Sequence, residues 1–203
     1  MDPKEAVEQL VTIRRIMESA TELTVLPGAA AAGGGLLSLG GCVLTYTILH
    51  SFDFAQLGQA SKGIRASVIA LWVGIGLLGV VLDLVLVARR ARRRGKNPWY
   101  RLGQLAARVM GPAVVAALAV SLALAFHNLW GLIPGVWMLL YGSAVWTTGL
   151  LSVHNPGALG LVFVGGGVAA LLLAPAYSLL LVGLTFGVAH IAYGLYARSR
   201  FGE

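Results

Sequence analysis

Six long apolar stretches constrain the fold of this chain more than any other feature. They cover residues 28–49, 66–88, 104–126, 130–151, 159–174 and 178–197. Each approaches the ~20 residues with which an α-helix crosses about 30 Å of hydrocarbon. A segment inside a bilayer has to satisfy its backbone hydrogen bonds internally, and an α-helix does so. The sequence therefore predicts an all-α membrane protein, a bundle of six transmembrane helices.

The overall composition agrees with this class. Hydrophobic residues make up 58% of the chain and charged residues 11%, with a mean hydropathy of +0.81. Soluble domains are roughly half apolar and a quarter charged. A net charge of +7 would suggest nucleic-acid binding in a soluble protein. Here the basic residues sit at the ends of apolar stretches, where membrane topology explains them. We expect the lipid bilayer as a partner and no nucleic acid.

The basic segment at residues 89–101 sets the predicted orientation. It holds seven Lys or Arg and no acid, and it joins the second apolar stretch to the third. Positive residues beside a transmembrane helix remain cytoplasmic. Thirteen of the fifteen Lys and Arg then share one side, with Lys62 and Arg65 as the exceptions. We expect a multi-pass membrane protein with both termini cytoplasmic.

Short connections predict how the helices pair. Only residues 127–129 separate the third stretch from the fourth, and only residues 175–177 separate the fifth from the sixth. Connections of this length join antiparallel neighbours. The sequence thus predicts a transmembrane domain at residues 28–203, built as three antiparallel hairpins.

Residues 1–27 form a different kind of segment. They lack the apolar core of a signal peptide and carry five acids against three bases. Val7, Leu10, Val11 and Met17 recur at roughly helical intervals, which indicates an amphipathic helix. Its mixed charge favours packing on the protein itself over binding to lipid. We predict an amphipathic cytoplasmic segment that ends at a Pro-Gly break.

Two predicted helices carry regularly spaced glycines. Small residues allow membrane helices to approach closely. One interpretation is close packing within a single chain, and the other is an interface with a protein partner or with a second copy. The candidate packing residues are Gly135, Gly142 and Gly149 in the fourth stretch and Gly183, Gly187 and Gly194 in the sixth.

Three ionisable residues form a predicted polar intramembrane cluster: Asp83, Arg108 and His190. Counted from the cytoplasmic ends, all three lie roughly 6 to 10 Å deep. An unpaired ionisable group at that depth costs on the order of 2 to 3 kcal/mol. A structural interpretation pairs Asp83 with Arg108 and leaves His190 neutral, bonded to a Thr, a Tyr or a backbone carbonyl. A functional interpretation makes the layer a proton or solute site.

No motif in the chain indicates catalysis. The single cysteine, Cys42, lies in an apolar stretch, and no HExxH, CxxC, GxSxG or Walker pattern occurs. An acid and a histidine are too few ligands for a metal site. We therefore expect no metal, no cofactor and no enzymatic activity.

Two segments resemble a known family. They are WMLLYG at residues 137–142 and GVAHIAYG at residues 187–194, and residues 16–28 fit the same pattern. They resemble a family of small six-span bacterial integral membrane proteins without an established activity. Residues 160–198 are more loosely similar to the two-helix repeat of the bacterial acid-resistance membrane proteins. The resemblance implies the fold and a location in the bacterial inner membrane, and it transfers no catalytic residue.

Three functional hypotheses follow from the sequence. The first is a non-catalytic accessory, scaffold or stress-related membrane subunit. The second is a small-solute or proton-linked permease that uses Asp83, Arg108 and His190. The third, an enzyme acting on lipid, would need a polar cavity open to the bilayer. A dry core with satisfied polar groups favours the first, and a wet path through the layer favours the second.

Overall fold

The protein is helical, as the sequence predicts. The computed structural model describes Gln9 and residues 28–93, 101–149, 156–173 and 175–201. These residues contain helices and turns and no strand, which confirms the all-α class. The predicted amphipathic segment at residues 1–27 lies outside the described residues apart from Gln9, and so do residues 94–100 of the basic segment.

Six helices run through the described ranges in the order of the apolar stretches. The fifth and sixth each contain a π-helical part, in which the backbone hydrogen bonds span five residues. Their bounds are α1 Gly28–Leu49, α2 Lys62–Arg93, α3 Arg101–Phe126, α4 Ile133–Gly149, α5 Gly157–Val168 with its π-helical end Ala169–Leu173, and α6 Ser178–Val182 with the π-helical Gly183–Ala189 and His190–Phe201.

Four of these helical regions are long and apolar enough to cross a membrane: Gly28–Leu49, Lys62–Arg89, Ala107–Phe126 and Pro175–Arg200. The other two are shorter. The α4 helix has 17 residues, and α5 has 12 residues before a five-residue π-helical end. At 1.5 Å per residue each reaches about 25 Å, less than the thickness of a typical hydrocarbon core.

Helices that pack together in the bundle are not always consecutive in the chain. The most extensive contact is between α4 and α5, and α1 packs along much of α6. The α2 helix lies against α1, and the α3 helix lies against α4. Met138, Phe163 and Val182 lie at the centre of the main apolar cluster, which α4, α5 and α6 share. We call α1, α4, α5 and α6 the packed core, and α2 and α3 the flanking pair.

One end of the bundle is closed by three short 3₁₀ turns. They are Phe54–Gly58, Trp130–Leu132 and Pro175–Tyr177, and each contacts the other two. Two long-range hydrogen bonds hold them: the Phe54 amide donates to Ser178 Oγ over 3.2 Å, and the Leu179 amide donates to the Phe52 carbonyl over 3.0 Å. A second apolar cluster forms beneath them, from Phe54, Leu57, Val68, Trp130 and Leu179.

Arg65 ties α2 to this closed end. Its guanidinium donates to three backbone carbonyls, those of Leu57, Gly58 and Ala60, at 3.0 to 3.2 Å. The same group lies 5.3 Å from the centre of the Trp130 ring, which adds a cation–π contact. A charged donor that binds several carbonyls at the end of a 3₁₀ turn stabilises the turn. Arg65 therefore fixes the turn that joins α1 to α2.

Candidate functional site: the His190–Tyr141 layer

His190 lies in the packed core, at the start of the final α-helical part of α6. Its side chain is 5% exposed, and its Nε2 shares a 2.9 Å hydrogen bond with the Tyr141 hydroxyl on α4. The sequence places His190 on the packed face of α6 and predicts a Thr, Tyr or carbonyl partner. Both predictions are confirmed.

A π-helical stretch, Gly183–Ala189, comes directly before His190. Within it the Thr185 hydroxyl donates to the Leu181 carbonyl over 2.8 Å. A side chain that bonds back to the carbonyl four residues earlier competes with the regular helix. The wider π-helical turn shifts the face on which the following residues project. The stretch therefore sets the direction in which the imidazole meets α4.

Three aromatic rings surround the imidazole. Phe163 on α5 meets it edge-on with ring centres 5.0 Å apart, and Phe186 lies nearly parallel to it at 6.0 Å. The Tyr141 ring lies 5.6 Å away, and Phe163 and Phe186 touch each other at 4.5 Å. Such a box excludes water and favours the neutral imidazole because burial disfavours charge. No pattern in the sequence marks Tyr141, Phe163 or Phe186 as neighbours of His190.

Asp83 reaches the edge of this layer from α2. Its side chain is half-buried, and its carboxylate lies near the Tyr141 hydroxyl, as the Tyr193 hydroxyl also does. Asp83 Oδ1 is buried without a hydrogen-bond partner, and so is His190 Nδ1. The layer thus combines the Tyr141–His190 hydrogen bond with a buried carboxylate oxygen of Asp83 that makes no hydrogen bond.

The predicted ion pair between Asp83 and Arg108 is wrong. No ion pair joins these two described residues, and the Arg108 side chain is exposed on α3. Arg108 comes nine residues before Ala117, which is buried, and nine residues are two and a half helical turns. Arg108 therefore projects from the face opposite to the buried one. The prediction failed because α2 and α3 follow each other in the chain but pack on different helices.

The predicted glycines of α4 serve packing within the chain. A Cβ added at Gly142 would lie 2.6 Å from Phe163 Cβ and 2.9 Å from the Gly160 carbonyl oxygen. Gly135 faces Leu171 and the Gly167 carbonyl in the same way, and Gly149 is buried. Only hydrogen fits at such positions, so α4 and α5 approach closely.

The glycines of α6 face α1. A Cβ at Gly187 would strike the Leu39 side chain, and one at Gly194 would strike the backbone of Gly28 and Ala32. Gly183 has ordinary van der Waals contacts with Cys42 and Leu39. Of the two interpretations, close packing within one chain is confirmed for these positions. A partner that binds through the same glycine faces would have to displace α1 or α5.

The site has few groups able to carry chemistry. The described residues include no group of three His, Cys, Asp or Glu side chains positioned to hold a metal ion. A shallow groove runs between α3 and α4 past Tyr141, and its other lining residues are apolar or aromatic: Met110, Ala113, Val114, Ala117, Trp137 and Ala144. The arrangement can hold a neutral histidine and a tyrosine in a fixed hydrogen bond.

No protein-family model, no curated protein and no solved structure matches this chain. The resemblance drawn from residues 137–142 and 187–194 therefore stays a prediction. Both segments lie at the core of the structure, because they supply Tyr141 and His190 and the glycines beside them.

Proposed function

We propose that the chain is a non-catalytic accessory or scaffold subunit of the bacterial inner membrane. The observation that carries the proposal is how closely the helices of the packed core approach one another. Glycine Cβ positions on α4 and α6 are occupied by atoms of the neighbouring helices, and His190 is enclosed by aromatic rings. Such packing restricts the helix movements that open a path for solutes. A rigid bundle suits a protein that supports or positions others.

The proposed topology has six spans with both termini in the cytoplasm. It is supported by the charge pattern and by the three connections that meet at one end of the bundle. That end carries Lys62 and Arg65, and the opposite end carries the basic segment between α2 and α3. The two short helices, α4 and α5, lie within the bundle, where neighbouring helices and a local thinning of the bilayer accommodate them.

Reporter fusions test this topology. A fusion after Ser61 should be active outside the cytoplasm, and a fusion after Lys96 should be active inside it. A matched pair at Asn128 and at the carboxyl terminus should repeat the result, with Asn128 outside. The same sidedness for Ser61 and Lys96 would contradict six spans.

A proton-linked permease is the second candidate. The observation that favours it is the pair of buried atoms without hydrogen-bond partners, Asp83 Oδ1 and His190 Nδ1. A chain of titratable groups that leads to a buried histidine is typical of proton pathways. The outward direction of Arg108 argues against a permease layer formed by Asp83, Arg108 and His190 together.

Two measurements separate the candidates. Vesicles that contain the purified protein and a pH-sensitive dye report proton flux under an imposed pH gradient. A scaffold should leak no faster than its own Asp83→Asn and His190→Gln variants, whereas a permease should leak faster and lose the leak in both. In gently solubilised native membranes, a scaffold subunit should migrate in an assembly heavier than two 21.2 kDa chains. Migration at one or two chains, together with a histidine-dependent leak, would replace the scaffold proposal by the permease.

A further inference from the structure

The Asp83 carboxyl group lies inside the bundle without a counter-ion among the described residues. It approaches the packed core from α2 and lies near the Tyr141 hydroxyl, and its Oδ1 is buried and makes no hydrogen bond. An ionised carboxylate in an apolar layer needs a cation or several hydrogen-bond donors. The uncharged acid costs much less to bury, because an unsatisfied neutral group loses less solvation than a charged one. The position of Asp83 therefore suits a carboxyl group that keeps its proton.

No helix around Asp83 supplies a positive charge at its level. The α1 helix, on which α2 packs, has no ionisable side chain before Cys42, which lies nearer the closed end. The imidazole on α6 is enclosed by aromatic rings and bonded to a phenol. The ionisable groups nearest to this level are the buried or half-buried Tyr141, His190 and Tyr193 of the packed core, and Arg108 and Arg89, which are exposed.

Asp83 is too deep for its side chain to reach the membrane surface. It lies ten residues before the end of α2, about 15 Å along the helix. Long Lys and Arg side chains extend to the interface from such depths, but the short side chain of aspartate does not. If Asp83 ionises, the carboxylate can regain hydration only when water enters beside Tyr141 or when α2 itself moves.

The α2 helix is held firmly at one end only. At the closed end Arg65 donates to three backbone carbonyls, and Trp72 Nε1 donates to Thr45 Oγ1 over 3.0 Å. Beyond that point the main backbone neighbour of α2 is α1, and only 6% of the most apolar window of α2 is buried. Asp83 is the polar group through which this second half of α2 meets α4. A change of its charge therefore acts where the helix is least supported.

We propose that Asp83 binds a proton inside the membrane and that this proton keeps the second half of α2 docked against α4. With the proton bound, the uncharged carboxyl group stays beside Tyr141. When the proton passes to solvent water, the carboxylate becomes hydrated and this half of α2 moves away, while the end held by Arg65 stays in place. Proton binding and docking stabilise each other, so docking is lost as rising pH removes the proton.

The inference rests on the membrane placement in the proposed function and adds a regulation of the scaffold by pH. It needs no proton flux across the bilayer, so the leak measurement does not decide it. The topology reporters test the membrane placement by itself. A failure of that placement and a failure of the proton switch can therefore be told apart.

Infrared difference spectra between the unmodified protein and Asp83→Asn test the bound proton. We expect the carbonyl stretching band of a protonated carboxylic acid at neutral pH, which shifts in heavy water and is absent from the variant. The band should disappear at alkaline pH. No such band in the unmodified protein, or a band that the variant retains, would overturn the proposal.

Distances between spin labels test the movement of α2. Cys42→Ala first removes the single native cysteine. Labels at Val85→Cys on α2 and Thr147→Cys on α4, both exposed, report on the proton-dependent half. Their separation should lengthen by roughly 2 Å or more at alkaline pH, the scale of helix shifts in switching proteins. A matched pair at Ile64→Cys and Leu129→Cys, beside the closed end, should not change.

Two variants assign the movement to Asp83. Asp83→Asn is uncharged at every pH and should keep the short distance throughout. His190→Gln retains the carboxyl group and should still show the pH-dependent lengthening. A distance that does not respond to pH in the unmodified protein, or that responds equally in Asp83→Asn, would overturn the proposal. A response that is lost in His190→Gln and kept in Asp83→Asn would assign the switch to the histidine instead and overturn it as well.

Discussion

The packed core and the flanking pair use the same kinds of residue in opposite ways. In the most apolar window of α6, 44% of residues are buried, whereas the corresponding windows of α2 and α3 are each 6% buried. A Cβ added at Gly142 on α4 or at Gly194 on α6 would strike backbone atoms of the neighbouring helix, whereas one added at Gly76 or Gly79 on α2 would meet nothing within 4 Å. The four core helices are mutually supported, and α2 and α3 are each attached along one side.

This difference shows that glycine spacing alone does not identify an interface. The regular glycines of α4 and α6, which the sequence marks as packing or docking residues, are filled from within the chain. The less regular glycines of α2 remain open.

The largest effect should come from the closest helix contact. A Cβ added at Gly160 on α5 would lie 2.6 Å from the Trp146 amide nitrogen and 2.8 Å from the Gly142 carbonyl oxygen. Backbone atoms cannot give way as a side chain can, so Gly160→Leu should cost about 3 kcal/mol or more, or prevent folding. Gly165→Leu on the same helix, where a Cβ meets nothing within 4 Å, is the control. Thermal unfolding in detergent measures the stability of both variants. Equal losses of stability would contradict close packing between α4 and α5.

The next effect should come from the buried hydrogen bond. Tyr141→Phe leaves Nε2 of His190 without its partner, and His190→Phe leaves the tyrosine hydroxyl unsatisfied. Each should cost about 1 to 3 kcal/mol. The double variant removes both polar groups and should cost less than the sum of the single variants. A double-mutant cycle on unfolding free energies checks this, and strict additivity would mean that the two side chains do not interact.

A smaller effect should come from Arg65, which joins the flanking pair to the closed end of the bundle. Arg65→Gln removes a guanidinium that binds three carbonyls and should cost about 1 to 2 kcal/mol. Lys62→Gln, on the exposed first turn of α2, changes the same charge and is the control. Unfolding of both variants measures the difference. A loss as large with Lys62→Gln would point to net charge as the cause.

Much of the architecture was predictable because apolar length and glycine spacing are local signals. The first helix matches its prediction, and spacing from Gly187 and Gly194 correctly placed His190 on a packed face. The Asp83–Arg108 pair was not predictable because the chain order of two helices does not determine whether they touch.

Two further kinds of contact could not be predicted from the sequence: those of the aromatic rings around His190 and those of Arg65 at the closed end of the bundle. Phe163 and Phe186 look in the sequence like any lipid-facing residue, and their role around His190 depends on how α5 and α6 are rotated. Arg65 looks like an outer charge, and its carbonyl partners exist only once the 3₁₀ turn has formed. Long-range geometry of this kind leaves no periodic signal.

One added methyl group in each region tests the contrast most directly. Gly142→Ala places a Cβ against Phe163 and the α5 backbone, and Gly74→Ala places one on α2 where no atom lies within 4 Å, on the side away from Asp83. The account predicts a loss of about 1 to 3 kcal/mol for Gly142→Ala and no loss for Gly74→Ala. Thermal unfolding of the two variants beside the unmodified protein, in the same lipid, gives the answer. Equal unfolding temperatures for the two variants would contradict a packed core with an open flanking pair.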